Sequence, residues 1–327
     1  MKILEKFKVI IFLSLGIFIF VWVYDFFAGP ESLQLVLNNK EKLILLVLAH
    51  IPSLYFDSLA WVILISHKKL SLFWAFIITW VAQTSGKFLP TGNITGEFVR
   101  IYLGIKKGLT TTEASSTVFA DLVLATFSLF IISAFSLSFI LSANMDILYH
   151  NYNLYLYFSL FLIFVACLFF YWGVRKRILK FCLRNSFRVF KFSFKKKIIL
   201  NLLKLDFSLF KLSSQKVTVL KALLARILGW IGGAFEIYVF LWIIGYDASL
   251  MDVILLESFA SIIRAIAFFI PAGLGVQELA FVLVGEYVGL TGSIAFSLAI
   301  GRRLREVMVG VPAIVAWFFL FNQRRKQ

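Results

Sequence analysis

Charged side chains recur inside the most apolar stretches of this chain. Gly301-Arg302-Arg303-Leu304-Arg305-Glu306 falls near the middle of the last apolar run. Counted from Ser293, Arg302 lies roughly 14 Å along a helix that rises 1.5 Å per residue. A charge at bilayer depth costs roughly 2.5–3.5 kcal/mol on insertion scales, so three arginines there must meet acids, water or an anionic ligand. Guanidiniums suit carboxylates and phosphates because their fork of donors binds both oxygens. In sequence only Glu306 is at hand to neutralise them, which leaves a positive field for an anionic headgroup. Glu97 and Arg100, three residues apart, share a helical face and form a smaller set of the same kind. Glu236, Glu257 and Glu278 complete the candidate binding residues, while Asp57, Asp121, Arg226, Arg264 and Glu286 also sit within or beside apolar runs. The competing reading is internal stapling: Glu257 with Arg264, and Arg226 or Arg302 with Glu236 or Glu278.

Other chemistry is thin. His50, His67 and His150 have no ligand-like spacing with one another or with acids, so no metal site is expected. Cys167 and Cys182 give no disulfide framework. Ser85-Gly86-Lys87 lacks the upstream glycine of a nucleotide-binding loop. With no Ser/His/Asp set either, neither a cofactor nor an enzymatic role is expected.

The elements that position these charges are membrane helices. Of 327 residues, 61% are apolar and only 15% charged, against about a quarter charged in a soluble domain. The net charge of +16 suggests nucleic acid until its distribution is read. Between Arg175 and Lys221 there are 14 basic residues and one acid, Asp206, with Phe181, Phe187, Phe190, Phe192 and Phe194 interleaved. Such a juxtamembrane stretch lies on anionic headgroups at the cytoplasmic face, so no nucleic acid is expected.

Full spans are expected at about 7–27, 43–66, 114–142, 154–174, 219–245 and 293–321, each near the ~20 residues a bilayer requires. The first is too long for a signal-peptide core and reads as a retained anchor. Basic punctuation at Lys2, Lys6 and Lys8, at His67-Lys68-Lys69, at Lys106-Lys107 and at Arg324-Arg325-Lys326 puts those segments and both termini in the cytoplasm. The segment 70–107 must then enter from the cytoplasm, break at Pro90 and Gly92, and return. The segment 250–292 does the same from outside, breaking at Pro271, Gly273 and Gly275.

Aligning the breaks sets Phe88-Leu89-Pro90-Thr91-Gly92 over Phe269-Ile270-Pro271-Ala272-Gly273, with Glu97 over Glu278. The shared frame, Phe, aliphatic, Pro, small, Gly, then Glu five residues on, recurs at an offset of 181 residues. Proline stops a helix because it lacks an N–H; glycine permits the reversal; the glutamate falls at the positive end of the returning half-helix. The expected fold is an all-α polytopic membrane protein with about six full spans and two re-entrant helical hairpins related as an inverted repeat. It forms one domain over 1–327, with halves at about 43–142 and 219–321 and a basic interfacial segment at 175–218. Transporters of this design place their site where the repeats meet.

The residues Leu89-Pro90-Thr91-Gly92 and Gly96-Glu97-Phe98-Val99-Arg100 resemble the first motif of the flippase-like family that includes the membrane domain of lysylphosphatidylglycerol synthases. Pro271-Ala272-Gly273-Leu274-Gly275-Val276-Gln277-Glu278 resembles the second. Glu236, Leu256-Glu257-Ser258 and Arg302-Arg303-Leu304-Arg305-Glu306, with Gly310 and Trp317, are similar to the hopanoid-biosynthesis-associated branch. One departure falls at Ala272, where the branch pattern has Gly. The resemblance implies a lipid transporter or flippase of the inner membrane, with a hopanoid or another envelope lipid as cargo and envelope-lipid biosynthesis proteins as partners. The synthases carry a soluble aminoacyl-transfer domain after the membrane part, so this chain is expected not to make that lipid alone. Alternatives are a membrane enzyme acting on a lipid-linked substrate, and a non-catalytic partner in envelope assembly.

Overall fold

A computed structural model describes residues 2–65, 69–88, 93–143, 152–178, 180–181, 196–267 and 270–321. Pro90 and Gly92, like His67, His150, Cys182, the phenylalanines from 187 to 194 and Arg324, Arg325 and Lys326, lie outside them. Among the described residues the chain is all-helical, with twelve α-helices and no strand. The outer surface identifies the solvent. The helix α7 (Tyr152–Arg175) turns Leu154, Phe158, Phe161, Leu162, Phe169 and Trp172 outward. Soluble monomers rarely expose contiguous apolar patches beyond a few hundred Å², so this face belongs in lipid.

The amino-terminal helix α1 (Lys2–Val23) runs through a π-helical turn (Tyr24–Ala28) into α2 (Gly29–Asn38). The axes of Ile11–Phe27 and Pro30–Asn38 meet at 89°, so the bend follows the expected anchor at 7–27. Then come α3 (Ile44–Leu64, 21 residues), α4 (Leu72–Phe88, 17), α5 (Asn93–Lys106, 14) and α6 (Thr111–Ala143, 33). Beyond α7 and the basic helix α8 (Lys196–Ser213), the long–short–short–long order returns. Its members are α9 (Lys216–Ile243, 28 residues), α10 (Leu250–Ile266, 17), α11 (Val276–Tyr287, 12) and α12 (Gly292–Phe321, 30).

Among the described residues three helical stretches are each long and apolar enough to cross a bilayer, Lys40–Leu64, Thr111–Phe139 and Lys216–Ile243, and the bent pair Ile11–Phe27 with Pro30–Asn38 would make a fourth if it is one span. Those three match three of the six expected spans. The expected span at 293–321 lies within one continuous helix, Gly292–Phe321. At 1.5 Å per residue α4, α5, α10 and α11 are about 26, 21, 26 and 18 Å long, each shorter than the ~30 Å hydrocarbon core.

Among the described residues packing centres on two larger apolar cores, with a smaller third at Leu64, Leu124, Leu212 and Ala222. One holds Ile237, Phe240, Phe259, Phe281 and Phe296 from α9 to α12; the other holds Trp61, Ile78, Leu103 and Val118 from α3 to α6. The halves join through α3 and α9, which meet so closely at Gly232 that a Cβ there would lie 2.7 Å from the Ser53 backbone nitrogen. The two short pairs differ in how they turn. α4 stops at Phe88, two residues before Pro90, and α5 begins at Asn93. After α10, Pro271–Gly273 forms a single 3₁₀ turn with Ala272 at φ 55°, Gly273 at φ 58° and Gly275 at φ 77°. The second break therefore falls where the sequence placed it, but Ala272 itself takes a left-handed conformation.

Candidate functional site

Between the two halves lies a cavity of about 290 Å³, walled by α3, α4, α5, α6, α9, α10 and α12. Charged residues enter it from both sides. At one end Asp57 from α3, Glu97 and Arg100 from α5, and Arg226 from α9 line the wall. Arg226 Nη1 donates to Asp57 Oδ1 at 2.6 Å, and its Nε donates to Asp121 Oδ1 at 2.8 Å. Arg100 Nη2 also donates to Asp121, and Gln83 Nε2 reaches Asp57 Oδ2 at 2.9 Å. Asp121 is fully buried yet has two guanidiniums, the arrangement a carboxylate needs at this depth. Glu97 is less engaged. Its side chain is one-third exposed, and its ion-pair contact is with Arg100 Nη1 at 3.4 Å.

At the other end stand His50, Lys87, Glu236, Glu257, Arg264, Arg302 and Arg305. Glu236, 1% exposed, is the hub. Its Oε1 accepts from Arg305 Nε at 2.9 Å and lies 2.7 Å from Arg305 Nη2, while its Oε2 lies 3.0 Å from His50 Nδ1. A carboxylate only accepts, so the His50 proton in this contact sits on Nδ1. Arg302 pairs with both oxygens of Glu257. Lys87 Nζ lies 3.4 Å from Glu306 Oε1. Glycines make room for these groups. A Cβ on Gly229 would meet Asp57 Oδ1 at 2.7 Å, and one on Gly233 would meet Glu257 Oε1 at 3.1 Å.

Two of the candidate residues take a different position. Arg303 and Glu278 do not line the cavity; they brace the second break. Arg303 Nε donates to Glu278 Oε1 at 2.7 Å, Nη1 to the Ala272 carbonyl at 2.9 Å and Nη2 to the Gly273 carbonyl at 3.2 Å. Glu278 is fully buried on the first turn of α11. The structure thus joins Glu236, Glu257, Arg302 and Arg305 in one cluster, and Glu97 with Arg100 in another on the same cavity.

The sequence reading left the α12 arginines with Glu306 alone. The fold corrects that: Glu236, Glu257 and Glu278 arrive from other helices, and each arginine has a carboxylate. Of the alternative staples, Arg302 with Glu236 forms, whereas Glu257 pairs with Arg302 and not with Arg264. His50, Lys87 and Gln83 also face the cavity and were not among the candidates. The first two were weighed only as a metal ligand and as part of a phosphate loop, so their burial in an apolar run was the unused signal.

A comparison with protein families matches residues 8–314 to the lysylphosphatidylglycerol synthase transmembrane region. The chain belongs to that family. It is therefore a multi-pass membrane protein of a lipid-handling family, as the two Pro–Gly motifs implied. A comparison with curated proteins returned no match. The family's match runs from α1 into α12 and includes both ends of the cavity.

Proposed function

We propose that this protein is a lipid transporter of the flippase kind, not an enzyme, and that the headgroup passes through the cavity between the halves. The observation that carries the reading is the cavity itself: about 290 Å³ lined by ionised groups from both halves of a membrane-embedded chain. Burying so many charges is costly unless they pair or serve a ligand. A purely structural bundle gains nothing from a void beside them.

The repeated long–short–short–long helix order supports an inverted repeat of 43–142 and 219–321, with α4–α5 and α10–α11 as re-entrant hairpins and six full spans overall. Helices too short to cross the bilayer, meeting around a polar hollow, are the transporter pattern in which broken backbone lines a cavity. In this reading the protein sits in the inner membrane with both termini cytoplasmic, and its cargo is a hopanoid or another envelope lipid delivered by biosynthetic partners.

Reconstitution in liposomes with fluorescent phospholipids tests it. Arg302→Gln and Arg305→Gln, checked for folding by size-exclusion profile, are expected to lower lipid movement about tenfold or more, the scale of losing a charge-assisted hydrogen bond. Movement at the unaltered rate in both would remove the cavity from the transport path.

A further inference from the structure

The cavity is electrically divided. At its first end the carboxylates Asp57, Glu97 and Asp121 face the two guanidiniums Arg100 and Arg226. At its second end Glu236, Glu257, Glu278 and Glu306 face Lys87, Arg264, Arg302, Arg303 and Arg305. With His50 neutral, acids exceed cations by one at the first end, and cations exceed acids by one at the second. Asp121, Glu278, Arg303 and Glu306 stand behind the cavity wall rather than on it, and only with them do the two clusters sum to zero. On α9 the ends are marked by Arg226 and Glu236, ten residues or about 15 Å of helix apart.

The surplus at each end can be assigned to a residue. At the second end it is Arg264, which lines the cavity and makes no ion pair among the described residues. Its Nη1 reaches Gln277 Oε1 at 3.2 Å and its Nη2 reaches Ser261 Oγ at 3.4 Å, both neutral acceptors. Beside it Arg305, 1% exposed, holds Nη1 without an acceptor, and so does Arg302 at Nε, 3.4 Å from Glu236 Oε1 but outside hydrogen-bonding geometry. Buried donors without acceptors are rare and expensive. Two of them beside Arg264 on one wall call for a ligand that brings oxygens. At the first end the surplus is Glu97, the most exposed carboxylate there, with its weak Arg100 contact.

We propose that the cavity holds a zwitterionic headgroup, with anionic oxygens at Arg264 and Arg305 and a cationic nitrogen at Glu97. This rests on the cavity being a headgroup site, and it adds the charge class of the headgroup. A net-charged ligand would leave one end unmatched in a region of low dielectric, where an uncompensated charge costs most. A dipolar ligand of zero net charge, aligned with the cavity's own polarity, satisfies both surpluses and leaves the two clusters balanced when it departs.

Isothermal titration of the purified full chain in nonionic detergent tests this with short-chain lipids: dihexanoyl phosphatidylethanolamine (zwitterionic), dihexanoyl phosphatidylglycerol (anionic) and a dihexanoyl trimethylammonium lipid (cationic). The zwitterion is expected to bind about tenfold or more tighter than either singly charged lipid. Arg264→Gln is expected to remove that advantage over the cationic lipid, Arg264→Lys to keep it, and Glu97→Gln to remove the advantage over the anionic lipid. Equal or tighter binding of a singly charged lipid by the unaltered protein overturns the proposal, as does an unchanged preference in folded Arg264→Gln and Glu97→Gln. Glycerophosphoethanolamine, which has no acyl chains, is expected to bind weakly; binding as tight as the lipid would reassign the site to a soluble zwitterion and overturn the lipid claim. Selective binding without movement in liposomes would uphold this inference and sink the transport reading. Movement with no headgroup selectivity in binding would do the reverse.

Discussion

Ala272 sits at φ 55°, ψ 10°, in backbone space that an L-residue enters at a cost of about 1–2 kcal/mol. Its neighbours Gly273 and Gly275 also have positive φ and face no such cost. Ala272→Gly would relieve the strain while adding about 0.4–1 kcal/mol of unfolded-chain entropy to be lost on folding. The net expectation is a gain of about 0.5–1 kcal/mol, seen as a higher thermal unfolding midpoint in detergent. A lower midpoint would show that the Ala272 methyl group contributes more by packing than the backbone loses. Much of this turn was legible in sequence, because Pro271 and Gly273 announce a helix stop and a reversal by their own covalent geometry. The left-handed conformation at 272 was not, because an alanine gives no hint that its backbone is held by neighbours, here by Arg303 on the Ala272 carbonyl.

Arg303 and Glu278 fasten α11 to α12 and hold the turn that precedes α11. Glu278 is fully buried, and Arg303 supplies both of its oxygens while also reaching two turn carbonyls. Removing one partner of such a pair leaves an uncompensated charge, at a cost of about 3–5 kcal/mol. Glu278→Gln and Arg303→Gln are each expected to lower the unfolding midpoint strongly, and the double variant by much less than their sum. Additive losses in that double-mutant cycle would show that the two side chains do not act as a unit. At this scale the sequence showed which helices are interrupted but not which helix answers which charge. The arginines of α12 have one acid nearby in sequence, and their partners come from α9, α10 and α11. Helix adjacency, set by close approaches such as Gly301 against Phe240, decides that pairing. Nothing in local periodicity encodes it.

The charge of the whole molecule is placed away from the cavity. The charges on and just behind the cavity wall balance, whereas the 175–221 segment carries 14 basic residues and one acid. Within it α8 is fixed to the bundle at defined points: Arg177 Nε donates to Asp206 Oδ2 at 2.7 Å, Arg175 Nη1 to Ser214 Oγ at 3.1 Å, and Leu212 packs with Leu64, Leu124 and Ala222. Phe207 and Leu200 remain exposed beside Lys204, so α8 offers apolar and cationic groups together, as an interfacial helix does. Each Lys or Arg near an anionic leaflet contributes about 1 kcal/mol, and short basic connections stay on the cytoplasmic side. If α8 lies on the cytoplasmic leaflet, as proposed, the whole bundle is oriented with it, because α8 is packed against α6 and α9 and cannot change sides independently. Lys204 is exposed and makes a suitable reporter. With Cys167 and Cys182 replaced by serine, Lys204→Cys is expected to resist a membrane-impermeant maleimide in intact cells and to react in inverted membrane vesicles. Reaction in intact cells would turn the bundle over, and the assignment of every inward and outward connection would have to be exchanged with it.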